Sequence, residues 1–338
     1  MKPIVIDVHA HYTPELLFDR FDANAREFPH VKLARGDKGP QLSFPDDSAP
    51  RAVMRELGDL KARRAWMDAN AIDHQLVGGW VEGFGYDLPA AEGVAWSRFQ
   101  NACMRDALAG EPRFTPLATV PLQDGKLAGA VLGDAMAAGF AGVIIGTLPK
   151  GAAGDNLDDA SLDPFWDTAS QLGVAVFLHP QAFCGQSRLN DYRLDNAIGR
   201  LEDTSIAVAR LLYSGHLLRF PNLKLVLSHG GGTLPYALGR LARGHENLKG
   251  KAGDPRAGFA AMYFDSCVFD RDALRYLARK AGSNRIMLGS DAPFPMGDPA
   301  PRKVIEAAAF TAEENDAILG RTAQQVFRVR PDCWCKDR

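Results

Sequence analysis

The sequence predicts a closed (β/α)8 barrel, a TIM barrel forming a single domain over 1–338, with an insertion at 12–50 after the first strand and a helical C-terminal extension. Eight short apolar runs alternate with segments of helical period, and strand–helix alternation implies parallel strands, because parallel neighbours need a crossover. Eight such units in 338 residues suit a barrel with insertions, and no composition shift or linker divides them. An open doubly wound sheet would require a glycine-rich phosphate loop after an early strand. The glycine run Gly230-Gly231-Gly232 instead comes late, directly behind a histidine.

The first strand is the apolar run at 4–11, ending His9-Ala10-His11. Residues 12–50, rich in Pro, Asp and Gly and without a sustained period, read as an irregular excursion over the mouth of a site. At 51–70, Val53, Leu57, Leu60 and Trp66-Met67 recur among charges at helical spacing. A strand follows at 73–77, a helix at 89–108, a strand at 114–120 and an alanine-rich helix at 125–138. The run at 142–146 is apolar throughout, as expected of a strand buried on both faces. A helix at 162–172 leads to a strand at 174–180, stopped by Pro180. Beyond an irregular piece at 181–196, the sequence predicts a helix at 206–219, a strand at 223–229 and a helix after the glycines. A strand at 259–265, a helix at 270–281, a strand at 285–291 and helices over 299–329 complete the pattern.

Hydrophobic residues make up 46% and charged residues 24%, the balance of a globular protein with a large core. A formal charge of -2, with Lys and Arg scattered, gives no footprint for nucleic acid or a membrane surface, so a small-molecule substrate is expected. No signal peptide and no membrane-spanning run is evident, which makes the cytoplasm the expected location. Five scattered cysteines argue against a disulfide framework, and Cys333-Trp334-Cys335 lacks the two-residue gap usual in metal and redox motifs.

The chemistry gathers at strand ends. In an extended strand alternate side chains share a face, so His9 and His11 point the same way and form half a metal site. His179 and His229 end two later strands and Asp291 ends the last. In a barrel all these carboxyl ends meet at one rim, where active sites lie. The other histidines, His30, His74, His216 and His245, fall in loops, helices or a strand start and receive no role.

These motifs carry a resemblance. The His-x-His after strand 1, the His-Pro after strand 5, the His-Gly-Gly-Gly after strand 6 and Gly-Ser-Asp-Ala-Pro-Phe-Pro around Asp291 resemble the amidohydrolase superfamily, within it the branch containing aminocarboxymuconate-semialdehyde decarboxylase. The likeness runs in order along essentially the whole chain. It implies one divalent metal, usually zinc with manganese as the alternative, on His9, His11, His179 and Asp291, with His229 as acid and base beside it. Three imidazoles and a carboxylate leave a positive centre that lowers the pKa of bound water, and a histidine titrates in the right range to move the proton. Dinuclear members add a lysine at the end of strand 4. That strand ends here in Gly146, with Lys150 beyond Pro149, so a single metal is expected.

The resemblance also implies that Arg240 reaches the substrate carboxylate of a neighbouring subunit, which requires a homodimer or larger assembly. It further implies that Phe294 packs on substrate and that Arg51, or nearby Arg55, binds it. Gln181 stands where the family has tryptophan, and 188–196 replaces a tryptophan-bearing segment, predicting a more polar wall. The expected activity is decarboxylation of a small unsaturated or aromatic carboxylic acid, with His229 or Asp291 delivering a proton to the carbon that loses carbon dioxide. A hydrolase or hydratase, for example a lactonase, would use the same centre. A non-catalytic metal-binding barrel would close the coordination shell and leave His229 idle.

Overall fold

The computed structural model describes residues 4–329 apart from 37, 38, 48, 152, 153, 155 and 182–186. Cys333-Trp334-Cys335 lies outside the described residues. The chain enters through β1 (Ile6–His11), and its excursion then carries α1 (Glu15–Asn24), β2 (Lys32–Gly36), β3 (Gly39–Ser43) and β4 (Arg51–Ala52). After this come α2 (Leu60–Ala69), β5 (His74–Gly78), α3 (Ala90–Ala107), β6 (Phe114–Pro116), α4 (Gly125–Ala137), β7 (Gly142–Gly146), α5 (Asp163–Leu172) and β8 (Ala175–His179). The second half runs α6 (Arg200–Tyr213), α7 (His216–Arg219), β9 (Lys224–Leu227), α8 (Leu234–Asn247), α9 (Pro255–Ala261), β10 (Tyr263–Asp265), α10 (Arg271–Ala281) and β11 (Ile286–Met287). Helices α11 (Arg302–Ala307), α12 (Ala312–Asp316) and α13 (Thr322–Phe327) follow the last strand.

Eight of these strands are parallel and lie in two runs, β1-β5-β6 and β7-β8-β9-β10-β11. Both seams between the runs are stitched. At one, Ala118 N–H donates to the Gly142 carbonyl at 3.0 Å and Ile144 N–H to the Ala118 carbonyl at 2.8 Å. At the other, Val8 N–H donates to Leu288 at 2.9 Å, His11 N–H to Ala292 at 2.8 Å and Asp291 N–H to His9 at 2.7 Å. The sheet therefore closes on itself, and β5, β7 and β8 are buried at every residue, with helices covering the outside. Among the described residues no helix is long and apolar enough to cross a membrane.

Several expectations need correction. The segment 12–50 is not irregular: β2, β3 and β4 form an antiparallel sheet, and with α1 they enclose a second apolar core of Leu17, Phe21, Phe28, Leu42 and Trp96. The short strands carry Gly and Pro and bury only one face, which hid their period. At 51–70 the helical spacing starts too early. Arg51 belongs to β4, a single tight turn spans Arg55–Leu57, and α2 begins only where Asp59 accepts a hydrogen bond from Ala62 N–H. The helix expected at 206–219 starts at Arg200 and breaks at Gly215, whose φ of 77° is left-handed. The strand expected at 259–265 starts too early: 259–261 end helix α9, which is capped by Asp254 with Pro255 at its first turn, and only Tyr263–Asp265 is extended.

The excursion hangs on Trp96 of α3, which is completely buried, touches Phe21, Phe28 and Phe44, and donates its indole N–H to the Gly83 carbonyl at 2.8 Å. Trp96→Ala is expected to cost about 3–5 kcal/mol of stability in a urea titration. A loss below about 1 kcal/mol would mean that the excursion's core contributes little to the domain.

Candidate metal and active site

The carboxyl ends of the strands bring His9, His11, His179, His229 and Asp291 together. His9 and His11 share a face of β1 with ring centroids 5.4 Å apart, and the His179 ring lies 5.1 Å from His9 and 4.8 Å from His11. His229 and Asp291 sit just beyond their strands, both in left-handed backbone with φ of 52° and 60°. Such conformations cost non-glycine residues about 1–3 kcal/mol each and persist only where the surroundings hold them.

Asp291 is the hub. Its Oδ1 is 3.2 Å from His9 Nε2, 3.1 Å from His11 Nε2 and 3.8 Å from His179 Nε2, while its Oδ2 is 3.5 Å from His229 Nε2. The three imidazoles nearest Oδ1 have their other nitrogens engaged. His9 Nδ1 bonds Asp265 Oδ2 at 2.6 Å, His11 Nδ1 the Gly79 carbonyl at 3.2 Å and His179 Nδ1 the Pro180 carbonyl at 2.9 Å. In the neutral imidazole each carbonyl or carboxylate fixes the tautomer with hydrogen on Nδ1, which leaves the Nε2 lone pair for a metal ion. All three Nε2 atoms and Asp291 Oδ1 are buried and have no hydrogen-bond partner. Four unpartnered donor atoms converging on one point are what a tetrahedral divalent metal requires. The ligand atoms of His9, His179, His229 and Asp291 also lie within 4.8 Å of one another. Distance alone therefore leaves His229 within reach of a metal, but it faces the other carboxylate oxygen.

The electrostatics agree. Burial pushes His9 down, but the Asp291 and Asp265 carboxylates outweigh it and hold the imidazole up at about 10, so its Nε2 takes either a proton or, in the proton's place, a metal ion. Burial, the largest influence on His11 and His179, holds both below the ordinary histidine value, His179 far below. Burial would raise Asp291 and Asp265, yet the neighbouring imidazoles keep both low, Asp291 far below the usual carboxylate range. Two ionised carboxylates in a dry pocket demand positive charge, which the His9 imidazolium or a divalent cation in its proton's place supplies.

The scaffold beneath is polar and satisfied. Asp7, on β1 below His9, accepts from Gln75 Nε2 at 2.8 Å, Ser290 Oγ at 2.5 Å, His9 N–H at 3.0 Å and Ser290 N–H at 3.1 Å. Buried Arg63 donates to Gln75 at 3.2 Å and to the His11 carbonyl at 2.8 Å. Asp265 takes Gly230 N–H on its second oxygen at 2.8 Å, which ties the His229 turn to His9. Gly289 makes this possible: a Cβ there would meet Asp265 Cβ at 2.7 Å and His9 Cβ at 3.0 Å.

The cluster opens into a cavity of about 340 Å³ lined by His179, His229 and Asp291 and by Glu82, Arg193 and Phe294 among others, room for a small aromatic acid. Phe294 packs on the His11 ring at 5.0 Å, as expected of a wall residue. Arg240 does not line this cavity and lies exposed on α8. Arg51 does not line it either: its guanidinium bonds the Asp47 carboxylate and the Glu82 carbonyl, the latter at 2.6 Å. The remaining histidines sit elsewhere, His30 on Glu92 and His216 between Ser214 and Asp163.

The family model for amidohydrolases matches residues 6–329. The chain belongs to that family. It is 27% identical over 350 residues to 2-amino-3-carboxymuconate-6-semialdehyde decarboxylase of Dictyostelium discoideum, covering 98% of this chain and 93% of the relative. The structure of 5-carboxyvanillate decarboxylase from Sphingomonas paucimobilis superposes with a TM-score of 0.80 at 25% identity, covering 97% of this chain and all of that one. A dihydroxybenzoic acid decarboxylase from Polaromonas, solved with bound manganese and 2-nitroresorcinol, has the same fold, with a TM-score of 0.77 at 22% identity and coverage of 98% and 99%.

Within an amidohydrolase fold, Asp265 is the residue the sequence reading passed over, although it too ends a barrel strand. Asp265→Asn can still accept one hydrogen bond but no longer anchors His9 through a charge. Metal affinity, measured by chelator competition, is expected to fall about 10- to 100-fold. Unchanged affinity would show that His9 needs no such anchor.

Proposed function

We propose that the protein is a metal-dependent, non-oxidative decarboxylase of a small unsaturated or aromatic carboxylic acid. The observation that carries this is the convergence of the free Nε2 atoms of His9, His11 and His179 on Asp291 Oδ1, beside His229, at the floor of a cavity sized for such an acid. Full-length similarity to decarboxylases supports the reaction class. His9, His11, His179 and Asp291 would hold one ion, most readily zinc given three imidazoles and one carboxylate, with manganese the alternative. When bound, the ion supplies a Lewis-acid anchor for substrate oxygens.

The chain's own groups perform the proton chemistry. His229 Nε2 or Asp291 Oδ2, which lie 3.5 Å apart, delivers a proton to the carbon bearing the carboxylate. The carbon–carbon bond then breaks, its electron pair returns to the ring or alkene, and carbon dioxide leaves, with no oxidant needed. Phe294 holds the substrate plane against the histidines. Arg240, exposed on α8, serves the cavity of a neighbouring copy, so the active form is at least a dimer. Arg51 acts indirectly by fixing Glu82.

Chelation is expected to abolish carbon dioxide release from hydroxybenzoates or muconate semialdehydes, and added zinc or manganese to restore it. Full turnover in metal-free protein would overturn the reading, and turnover without carbon dioxide would make the enzyme a hydrolase or hydratase. His229→Asn should lower kcat about 10²- to 10⁴-fold at unchanged metal content. Lost metal would instead make His229 a ligand.

A further inference from the structure

The cavity carries more charge than the proposed chemistry uses. Besides Asp291, its charged side chains are Glu82, Arg200 and Arg193. Arg200 and Glu82 cancel each other: Nη2 donates to Glu82 Oε1 at 2.6 Å, and Arg200 Nη1 donates to the Pro180 carbonyl at 2.9 Å. Asp291 faces the imidazoles. That leaves Arg193, whose guanidinium is held by no hydrogen bond or ion pair among the described residues. None of 182–186, the undescribed residues of the same connection, is acidic.

The backbone around Arg193 is also unusual. Tyr192 and Arg193 both adopt left-handed backbone, each with φ of 56°. Two consecutive non-glycine residues in this region cost about 1–3 kcal/mol each. The turn leaves Tyr192 93% exposed, and Arg193, also exposed to solvent, lines the cavity. Asn196, which starts the next turn by donating its N–H to the Arg193 carbonyl at 3.1 Å, lines the cavity as well. A guanidinium and a side-chain amide lining one cavity offer planar N–H donors suited to a carboxylate.

Building on the decarboxylase reading, we propose that Arg193, assisted by Asn196, binds a second carboxylate of the substrate, one that is not lost. The substrate class is then a dicarboxylic aromatic or unsaturated acid. One carboxylate is placed at the histidine cluster and leaves; the other stays on Arg193 and fixes the direction in which the molecule enters. This recognition lies within one subunit and is separate from any contribution of Arg240.

The test uses unreactive probes on the zinc-loaded full-length protein, followed by calorimetry. In 2-nitrophenol the nitro group stands in for the departing carboxylate; 4-hydroxy-3-nitrobenzoate and 3-hydroxy-4-nitrobenzoate add the carboxylate that would remain. At least one of these acids is expected to bind wild type about 10-fold or more tighter than 2-nitrophenol. Arg193→Met should reduce that preference below about 3-fold while sparing 2-nitrophenol affinity, and Arg193→Lys should restore part of it. No preference in wild type, no binding of any probe, an undiminished preference in Arg193→Met, or its loss only in Arg240→Met would each overturn the proposal. Carbon dioxide release is scored separately: a carboxylate preference that tracks Arg193 without decarboxylation of any acid would sink the reaction class and leave the anion site standing.

Discussion

The rest of the site depends on holding an ionised carboxylate, Asp291, where three imidazole Nε2 atoms meet. His9, His11 and His179 each spend Nδ1 on a fixed acceptor, so their Nε2 atoms are the ones that face Asp291 Oδ1. With neither a proton nor a cation between them, nitrogen lone pairs would face a negative oxygen in a dry place, which is expensive. A divalent cation turns the same geometry from a cost into a binding site. The surroundings make relaxation difficult: Asp265 and Asp7 tie β1 to β10 and β11, and Gly289 lets those strands approach.

Most of the fold and the centre of the site were legible in the sequence because two simple periodicities carried them. Strand alternation put His9 and His11 on one face, and barrel geometry then gathered His179, His229 and Asp291 at the same rim. The same rules, applied once more, reach Asp7 two residues before His9, and Asp265 at the end of β10. Both were passed over because neither sits in a histidine motif. The excursion was misread because its strands are short, interrupted by Gly and Pro and backed by Trp96, a residue distant in sequence. The cavity wall was harder still. Glu82 lies in a turn without period, and Arg200 opens a helix whose apolar stripe becomes visible only later. The polar wall expected over 188–196 was legible from composition, but not which of its side chains lines the cavity.

The centre and the wall are built by different means. Histidines and aspartates at strand ends are positioned by the barrel's own hydrogen bonds, so their geometry follows from closure of the sheet. The wall comes from connections held by contacts between them: Arg200 by the Glu82 carboxylate and the Pro180 carbonyl, with Arg51, outside the cavity, bracing the Glu82 carbonyl. The reaction therefore rests on the rigid part of the molecule and substrate choice on the adaptable part.

Glu82 joins three stretches of chain that are otherwise independent. Its carbonyl is gripped by Arg51 at the end of the excursion, its carboxylate by Arg200 at the start of α6, and it belongs itself to the turn after β5. Insertions or deletions in the excursion, remote from the histidines, would travel through that residue to the cavity wall. Among descendants of this chain, a new diet could thus be acquired by editing a surface hairpin, with every histidine of the cluster left untouched.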